Sequence, residues 1–224
     1  MLSRPGRNAK IPILLQHGWG FDSRMWNDWV VSYPEYNFLL PDRGYSGNAK
    51  KIDLQKTEIA VTHSLGLHLL PEKLFPQLKL LVIISGFQEY HPNTPIERTF
   101  SQRIVRHMLK NIKNDTNAVL DKFYVNSFLP ALPNLESYDN PDTELLHKDL
   151  EMLNSHKVEI EALRLPDQVV LLHGMQDGIV AYNKAYQLQY SLQGSKVQTY
   201  EKAGHMLPVT HREWCMNCIK PFIT

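Results

Sequence analysis

Thr57–Leu70 reads TEIAVTHSLGLHLL, and the change of character along this stretch decides the fold. Ile59-Ala60-Val61 is a short apolar run, Thr62-His63-Ser64-Leu65-Gly66 follows at once, and an apolar, helix-compatible segment comes next. Strand, sharp turn and helix are expected, with a serine at the turn. A serine held there stands clear of the sheet edge, and the amide of the following residue points toward whatever its hydroxyl attacks. The helix N-terminus beneath it adds positive potential where an oxyanion would develop. Turns of this kind follow the pattern G-x-S-x-G, and here Thr62 stands in the place of the first glycine.

Three other segments share the same logic. After the strand-like run Ile11–Gln16 comes His17-Gly18-Trp19-Gly20. After Gln168–Leu172 come His173-Gly174-Met175-Gln176-Asp177, and after Val197–Tyr200 come Ala203-Gly204-His205. Each is a β-run followed by a glycine-containing loop that carries a polar residue. A parallel α/β sheet collects its functional groups at the carboxyl ends of its strands. Ser64, Asp177 and His205 are therefore the candidate nucleophile, acid and base. A serine hydroxyl needs a base within hydrogen-bond reach and a third group to orient that base. His205 lies just past the last strand, whereas its nearest rival, His211, falls inside the pattern of the terminal helix. Two preorganised donors must meet an oxyanion, and the backbone N–H groups of Leu65 and Trp19 are the candidates. The Trp19 indole, with Phe123 and Phe128, is expected to line the substrate site. His17 and His63 are expected to orient backbone loops, Ser85-Gly86 to wall the site, and Asp42-Arg43-Gly44 to form a structural turn.

The strand candidates are Ile11–Gln16, Asn37–Pro41, Glu58–Thr62, Leu80–Ser85, Gln168–His173 and Val197–Tyr200. Most are continuous Val/Ile/Leu runs, which suits a parallel sheet covered on both faces. Helices are expected at Ser23–Val31, Leu65–Phe75, Tyr182–Leu192 and Pro208–Ile219. The alternation predicts an α/β fold, mostly parallel, with right-handed crossovers. Between residues 88 and 156 the alternation stops, and the segment reads as a helical lid inserted into a core made of residues 1–87 and 157–224. The first half of the lid is basic, with Arg98, Arg103, Arg106, Lys110 and Lys113; the second is acidic, with Glu136, Asp139, Asp142, Glu144, Asp149 and Glu151. Arg103, Arg106 and Lys110 share one helical face by their spacing. From the Asp42–Gly47 loop to Glu58 there are about ten residues, at the lower limit for a helical crossover, so one helix is expected to be lost or reduced to a turn. With few residues before the first strand, an N-terminally trimmed fold is expected.

At 224 residues, 43% of them hydrophobic, the chain can bury one good core. A net charge of +1 gives no global pull toward nucleic acid or an anionic membrane. No apolar stretch is long enough to span a bilayer. The N-terminal MLSRPGRNAK is basic but lacks the apolar stretch of a secretory signal, so a cytoplasmic location and a monomer are expected. Cys215 and Cys218 form a lone C-x-x-C on the apolar stripe of the terminal helix. A structural zinc needs four ligands, and no second Cys/His pair sits at a suitable spacing, so two buried free thiols are expected, with no metal and no cofactor.

HGWG with a following Trp26, the DRGYSG loop, HSLG, the HGxxD segment and the terminal AGH together resemble the α/β-hydrolase superfamily over nearly the whole chain outside the lid. The order Ser64, Asp177, His205 is the order of nucleophile, acid and base in that superfamily. Within it, HGWG followed by a tryptophan and a short helical lid is similar to the pimeloyl-carrier-protein methyl ester esterases of biotin synthesis. The resemblance implies a serine carboxylesterase acting on a small-molecule or carrier-bound ester, with an acyl carrier protein docking on Arg98, Arg103, Arg106 and Lys110. A superfamily lyase of the menaquinone-pathway type, and a non-catalytic ligand receptor of the same fold, are the alternatives. Thr62, Leu67 and the short crossover depart from the pattern.

Overall fold

The structure, a computed structural model, describes residues 10–133 and 138–223. Glu136 and most of the basic N-terminal segment lie outside the described residues. Six parallel strands form one sheet in the order β2-β1-β3-β4-β5-β6. They are β1 (Pro12–Gln16), β2 (Asn37–Leu39), β3 (Ile59–His63), β4 (Leu80–Ile84), β5 (Gln168–Gly174) and β6 (Lys196–Tyr200). The central strands are buried along their whole length, β3 and β4 at every residue. That is why their sequences run apolar without alternating.

Successive side chains still divide between two cores. Ile13, Leu15, Val61, Val82, Ile84, Val170 and Leu172 point to one face, where Trp26, Trp29, Cys215 and Ile219 cover them. Leu14, Ala60, Leu81, Ile83 and Leu171 point to the other, against Leu67, Leu74, Phe75 and Leu188. The covering helices are α1 (Asn27–Ser32), α2 (Gly66–Leu69), α6 (Asn183–Ser191), α7 (Leu207–Thr210) and α8 (Arg212–Ile219). Both thiols are free and buried, and burial raises the pKa of each, that of Cys218 to about 11.

Two expected helices are broken. The Leu65–Phe75 segment is the short α2 followed by a 3₁₀ turn at Glu72–Gln77. Leu70 adopts an extended ψ of 133° because it precedes Pro71. The Pro208–Ile219 segment is α7 and α8, parted at His211, whose φ is −132°. Between β2 and β3 no helix forms; an antiparallel bridge between Asp42 and Lys50 closes the connection instead.

Between β4 and β5 stand α3 (Pro95–Ile112), α4 (Thr116–Phe128) and α5 (Thr143–Ser155). Pro95 opens α3 at a position that needs no backbone donor. The Asp115 and Asp142 carboxylates cap α4 and α5 by accepting from the Ala118 and Leu145 amides. Val105, Ile112, Leu120, Leu146 and Leu150 extend the first core into this layer. The insertion leaves and rejoins the sheet through a narrow neck. Glu89 bridges Lys157 there, and the Val158 N–H donates to the Gln88 carbonyl at 2.9 Å. Among the described residues no helix is long and apolar enough to cross a membrane.

Candidate active site

Ser64 follows the last residue of β3 and has φ +55°. For a residue with a side chain this left-handed conformation costs of order 1–3 kcal/mol and persists only where the surroundings enforce it. The Ser64 N–H donates to the Ile84 carbonyl at 3.0 Å, which pins the turn to β4. Two glycines make the turn possible through close approach. A Cβ on Gly66 would fall 2.8 Å from the Gln16 carbonyl oxygen, and one on Gly18 would fall 2.8 Å from the Ser64 Cβ. Thr62 needs no such clearance: it is buried in β3, with its hydroxyl donating to the Val82 carbonyl at 3.3 Å. The departure from the glycine pattern therefore leaves the turn intact. Ser85, at the end of β4, is also left-handed at φ +50°; it is fully buried, and its hydroxyl has no partner among the described residues.

His205 and Asp177 meet across the ends of β5 and β6. The Gln176 N–H donates to the Ala203 carbonyl at 2.9 Å, tying the two loops together. The His205 Nδ1–H donates to Asp177 Oδ2 at 2.8 Å, and both side chains are fully buried. A carboxylate partner fixes the proton on Nδ1, so Nε2 presents its lone pair. That atom is buried without a partner among the described residues, and no hydrogen bond joins it to Ser64. The ring of His63, next to Ser64, lies 4.7 Å from that of His205, and its Nε2–H donates to the His205 carbonyl at 3.0 Å. Burial, followed by the neighbouring His205, lowers the His63 pKa well below the ordinary value and keeps the ring neutral.

Asp177 has further partners that the sequence did not reveal. Oδ1 accepts from the Ile179 and Val180 amides at 2.9 and 2.8 Å. His173 Nε2 lies 3.2 Å from Oδ2 and 2.9 Å from the Val180 carbonyl, so it carries the proton and serves both. Burial alone would raise the Asp177 pKa. Electrostatic attraction to His205 and the hydrogen bonds from His173 and His205 outweigh it and hold the carboxyl well below its usual range.

Leu65 and Trp19 are both buried, and Gly18, which precedes Trp19, lies against Ser64 and the Leu65 amide. Neither N–H has a backbone acceptor among the described residues. Buried amides without acceptors are rare in folded proteins. The Trp19 indole is held by α5, donating to the Leu146 carbonyl at 2.9 Å, and meets Phe123 edge-on at 4.9 Å. Phe128 is buried at the end of α4, and the carbonyl of the preceding Ser127 accepts from Met206 N–H at 3.2 Å, beside His205.

Asp42-Arg43-Gly44 does more than turn the chain. Asp42 accepts from the Gly44 and Ser23 amides, both at 2.9 Å. The Arg43 guanidinium reaches Asp149 of α5 with two hydrogen bonds of 2.7 and 2.8 Å, and Tyr45 donates to the same carboxylate at 2.7 Å. In the insertion, Arg103, Arg106 and Lys110 are exposed along α3. Arg98 is apart from them: five residues from Arg103 place it well round the helix, and it pairs with Glu89 at the neck. Ile96, Phe100 and Ile104 form an exposed apolar stripe on α3 that the charge pattern had obscured. Among the described residues, no group of three or more His, Cys, Asp or Glu side chains is placed to hold a metal ion.

No protein-family model and no curated protein matches this sequence. Solved structures do match. An esterase from Exiguobacterium antarcticum aligns with a TM-score of 0.79 at 14% identity, covering 96% of this chain and 92% of its own. A bromoperoxidase from Bacillus anthracis gives 0.78 at 16% identity, with 96% and 92% covered. An epoxide hydrolase from Bacillus megaterium gives 0.69 at 14% identity, with 96% and 94% covered. At these identities the likeness is one of architecture, and on it the chain has the α/β-hydrolase fold.

Proposed function

We propose that this protein is a serine carboxylesterase. The observation that carries the reading is a left-handed Ser64 followed by the Leu65 amide, which like that of Trp19 is buried without a backbone acceptor among the described residues, together with a buried His205–Asp177 pair that packs on the neighbouring His63. In this reading Ser64 Oγ attacks the ester carbonyl carbon while His205 Nε2 takes the hydroxyl proton. The carbonyl oxygen becomes an oxyanion facing the Trp19 and Leu65 N–H groups, which are already oriented and need no reorganisation. His205 then gives the proton to the departing alcohol oxygen, and the C–O bond breaks to leave an acyl-serine. Water attacks that ester by the same route reversed, and the carboxylic acid leaves. Asp177 holds the imidazole in the required tautomer and stabilises its cationic form. The esterases among the structures of like fold support the reaction class.

The test is hydrolysis of a short p-nitrophenyl ester together with labelling by a fluorophosphonate. Ser64→Ala should fold normally, lose both, and leave less than about 1% of the wild-type kcat, since removal of a triad member costs several orders of magnitude. A folded variant that keeps its activity rejects the assignment.

The finer reading is a methyl ester carried on an acyl carrier protein. What supports it is the exposed basic face of Arg103, Arg106 and Lys110, suited to an acidic partner. Arg98, paired with Glu89, is not part of that face. Charge reversal of Arg103 and Arg106 should lower kcat/KM for a carrier-bound ester about tenfold or more while leaving a small free ester unchanged, and added salt should erode the same difference. An equal response of both substrates removes the carrier protein from the reading.

A further inference from the structure

The donors of an oxyanion hole act only if their N–H vectors are held, and the Trp19 amide sits on a loop rather than at a helix end. Its orientation is set by the peptide unit it shares with the Gly18 carbonyl. His17 Nε2 accepts from the Arg43 backbone N–H at 3.0 Å, so it carries no proton. The proton is therefore on Nδ1, which donates to the Gly18 carbonyl at 2.9 Å. In a trans peptide the C=O and N–H point in opposite directions. A Gly18 carbonyl drawn toward the His17 ring turns the Trp19 N–H away from that ring, on the strip of backbone that packs against Ser64 and the Leu65 amide.

The loop after β1 is tied to α5 in two ways, at residues one helical turn apart: directly through Trp19, and indirectly through the loop after β2, whose Arg43 N–H donates to His17. Leu146 of α5 holds the Trp19 indole, and Asp149 of α5 holds Arg43. We propose that His17 is a positioning residue that aims the Trp19 amide, and that the Arg43–Asp149 pair makes this aim depend on the seating of α5. The oxyanion hole is then complete only when the lid is docked. This rests on the esterase reading for its catalytic consequence, but not for its geometry.

Two measurements on the intact chain test it. ¹⁵N NMR of the imidazoles reads the first link without substrate: His17 should carry its proton on Nδ1 with Nε2 bare. Asp149→Asn should blur that single-tautomer signature. An Nε2–H or doubly protonated His17 in the wild type at neutral pH overturns the proposal. Kinetics reads the second link. Removing one oxyanion donor costs about 10²–10³ in kcat. Loss of aim should cost part of that, so His17→Phe and Asp149→Asn should each lower kcat roughly ten- to a hundredfold, with KM changed less than about threefold. Tyr45→Phe removes a different hydrogen bond to the same carboxylate, and its kcat should stay within about twofold of wild type even where its thermal stability falls. Equal kcat losses in Tyr45→Phe and Asp149→Asn would reduce the Arg43–Asp149 pair to a structural contact and overturn the coupling. A wild type that hydrolyses no ester rejects the esterase reading, and the tautomer of His17 still decides the first link.

Discussion

Asp177 accepts more hydrogen bonds than a carboxylate that only orients one histidine would need. The Ile179 and Val180 amides fix one oxygen, and His173 shares the other with His205. A carboxylate held by this many donors cannot rotate, and a fixed carboxylate fixes the imidazole it orients. On the proposed esterase reading, His173 is therefore expected to matter although it acts only through Asp177. His173→Phe keeps the ring volume and removes the donor; losing a hydrogen bond to a charged group costs roughly 1.5–3 kcal/mol. Denaturant unfolding should show a loss of that size, and kcat should fall about tenfold with KM little changed. An unchanged kcat would make His173 only a tie to the Val180 carbonyl. The sequence marked Asp177 through its place after a buried strand. It could not mark His173 as a partner, because four residues along a strand lie far apart until the turn after Gly174 brings them together.

The elements differ in how plainly they can be read. Strands β1, β4 and β5 are legible because burial on both faces demands nearly continuous Val/Ile/Leu runs, and β3 through the shorter apolar run Ile59-Ala60-Val61. Helix α2 was overextended because apolar residues continue through Pro71, although a proline cannot follow a helical residue without strain. Arg98 is grouped with Arg103 only by the resemblance; helical phase separates the two, and Arg98 pairs with Glu89 at the neck. The Arg43–Asp149 pair spans more than a hundred residues, and no local pattern carries such information. At this scale the decisive contact is the one between α2 and β1. Gly66→Ala would place a methyl group 2.8 Å from the Gln16 carbonyl and 3.1 Å from that of His17, both backbone atoms that cannot swing aside. Overpacking of this kind costs about 1–3 kcal/mol. The helix must shift with the Leu65 amide, so kcat should fall at least tenfold in a variant that remains folded. Wild-type turnover in that variant would mean that the amide does not serve the reaction.

The whole molecule buries several neutral histidines, and that sets its response to acid. Burial lowers the pKa of His17 and His63, and that of His68 to about 4. A folded-state pKa below the unfolded value of roughly 6.5 means that the unfolded chain binds the extra proton. The stability these groups contribute is present above pH 6.5 and is lost as pH falls toward the folded values. Each group supplies up to roughly 1.4 kcal/mol per pH unit within that window. Denaturant midpoints measured from pH 7 to pH 5 should fall, with net proton uptake on unfolding by linkage. His17→Asn and His63→Asn should each flatten the slope. A slope unchanged by both substitutions would place the acid sensitivity elsewhere.

The neck at Glu89 and Lys157 has a consequence for how the chain reaches this shape. Strands β4 and β5 pair side by side, Leu80 with Gln168, although the three helices of the insertion lie between them in the chain. That ladder is the sheet's most distant pairing between neighbouring strands, and distant pairings fold slowly because loop closure comes before its reward. The cost of closure grows only with the logarithm of loop length. A three-helix unit that forms locally and draws residues 88 and 158 together shortens the effective loop before β5 arrives. The insertion would then also bring the second half of the sheet to the first, and a chain cut at the neck and rejoined by a short flexible linker should refold at a different rate while keeping its six-strand order.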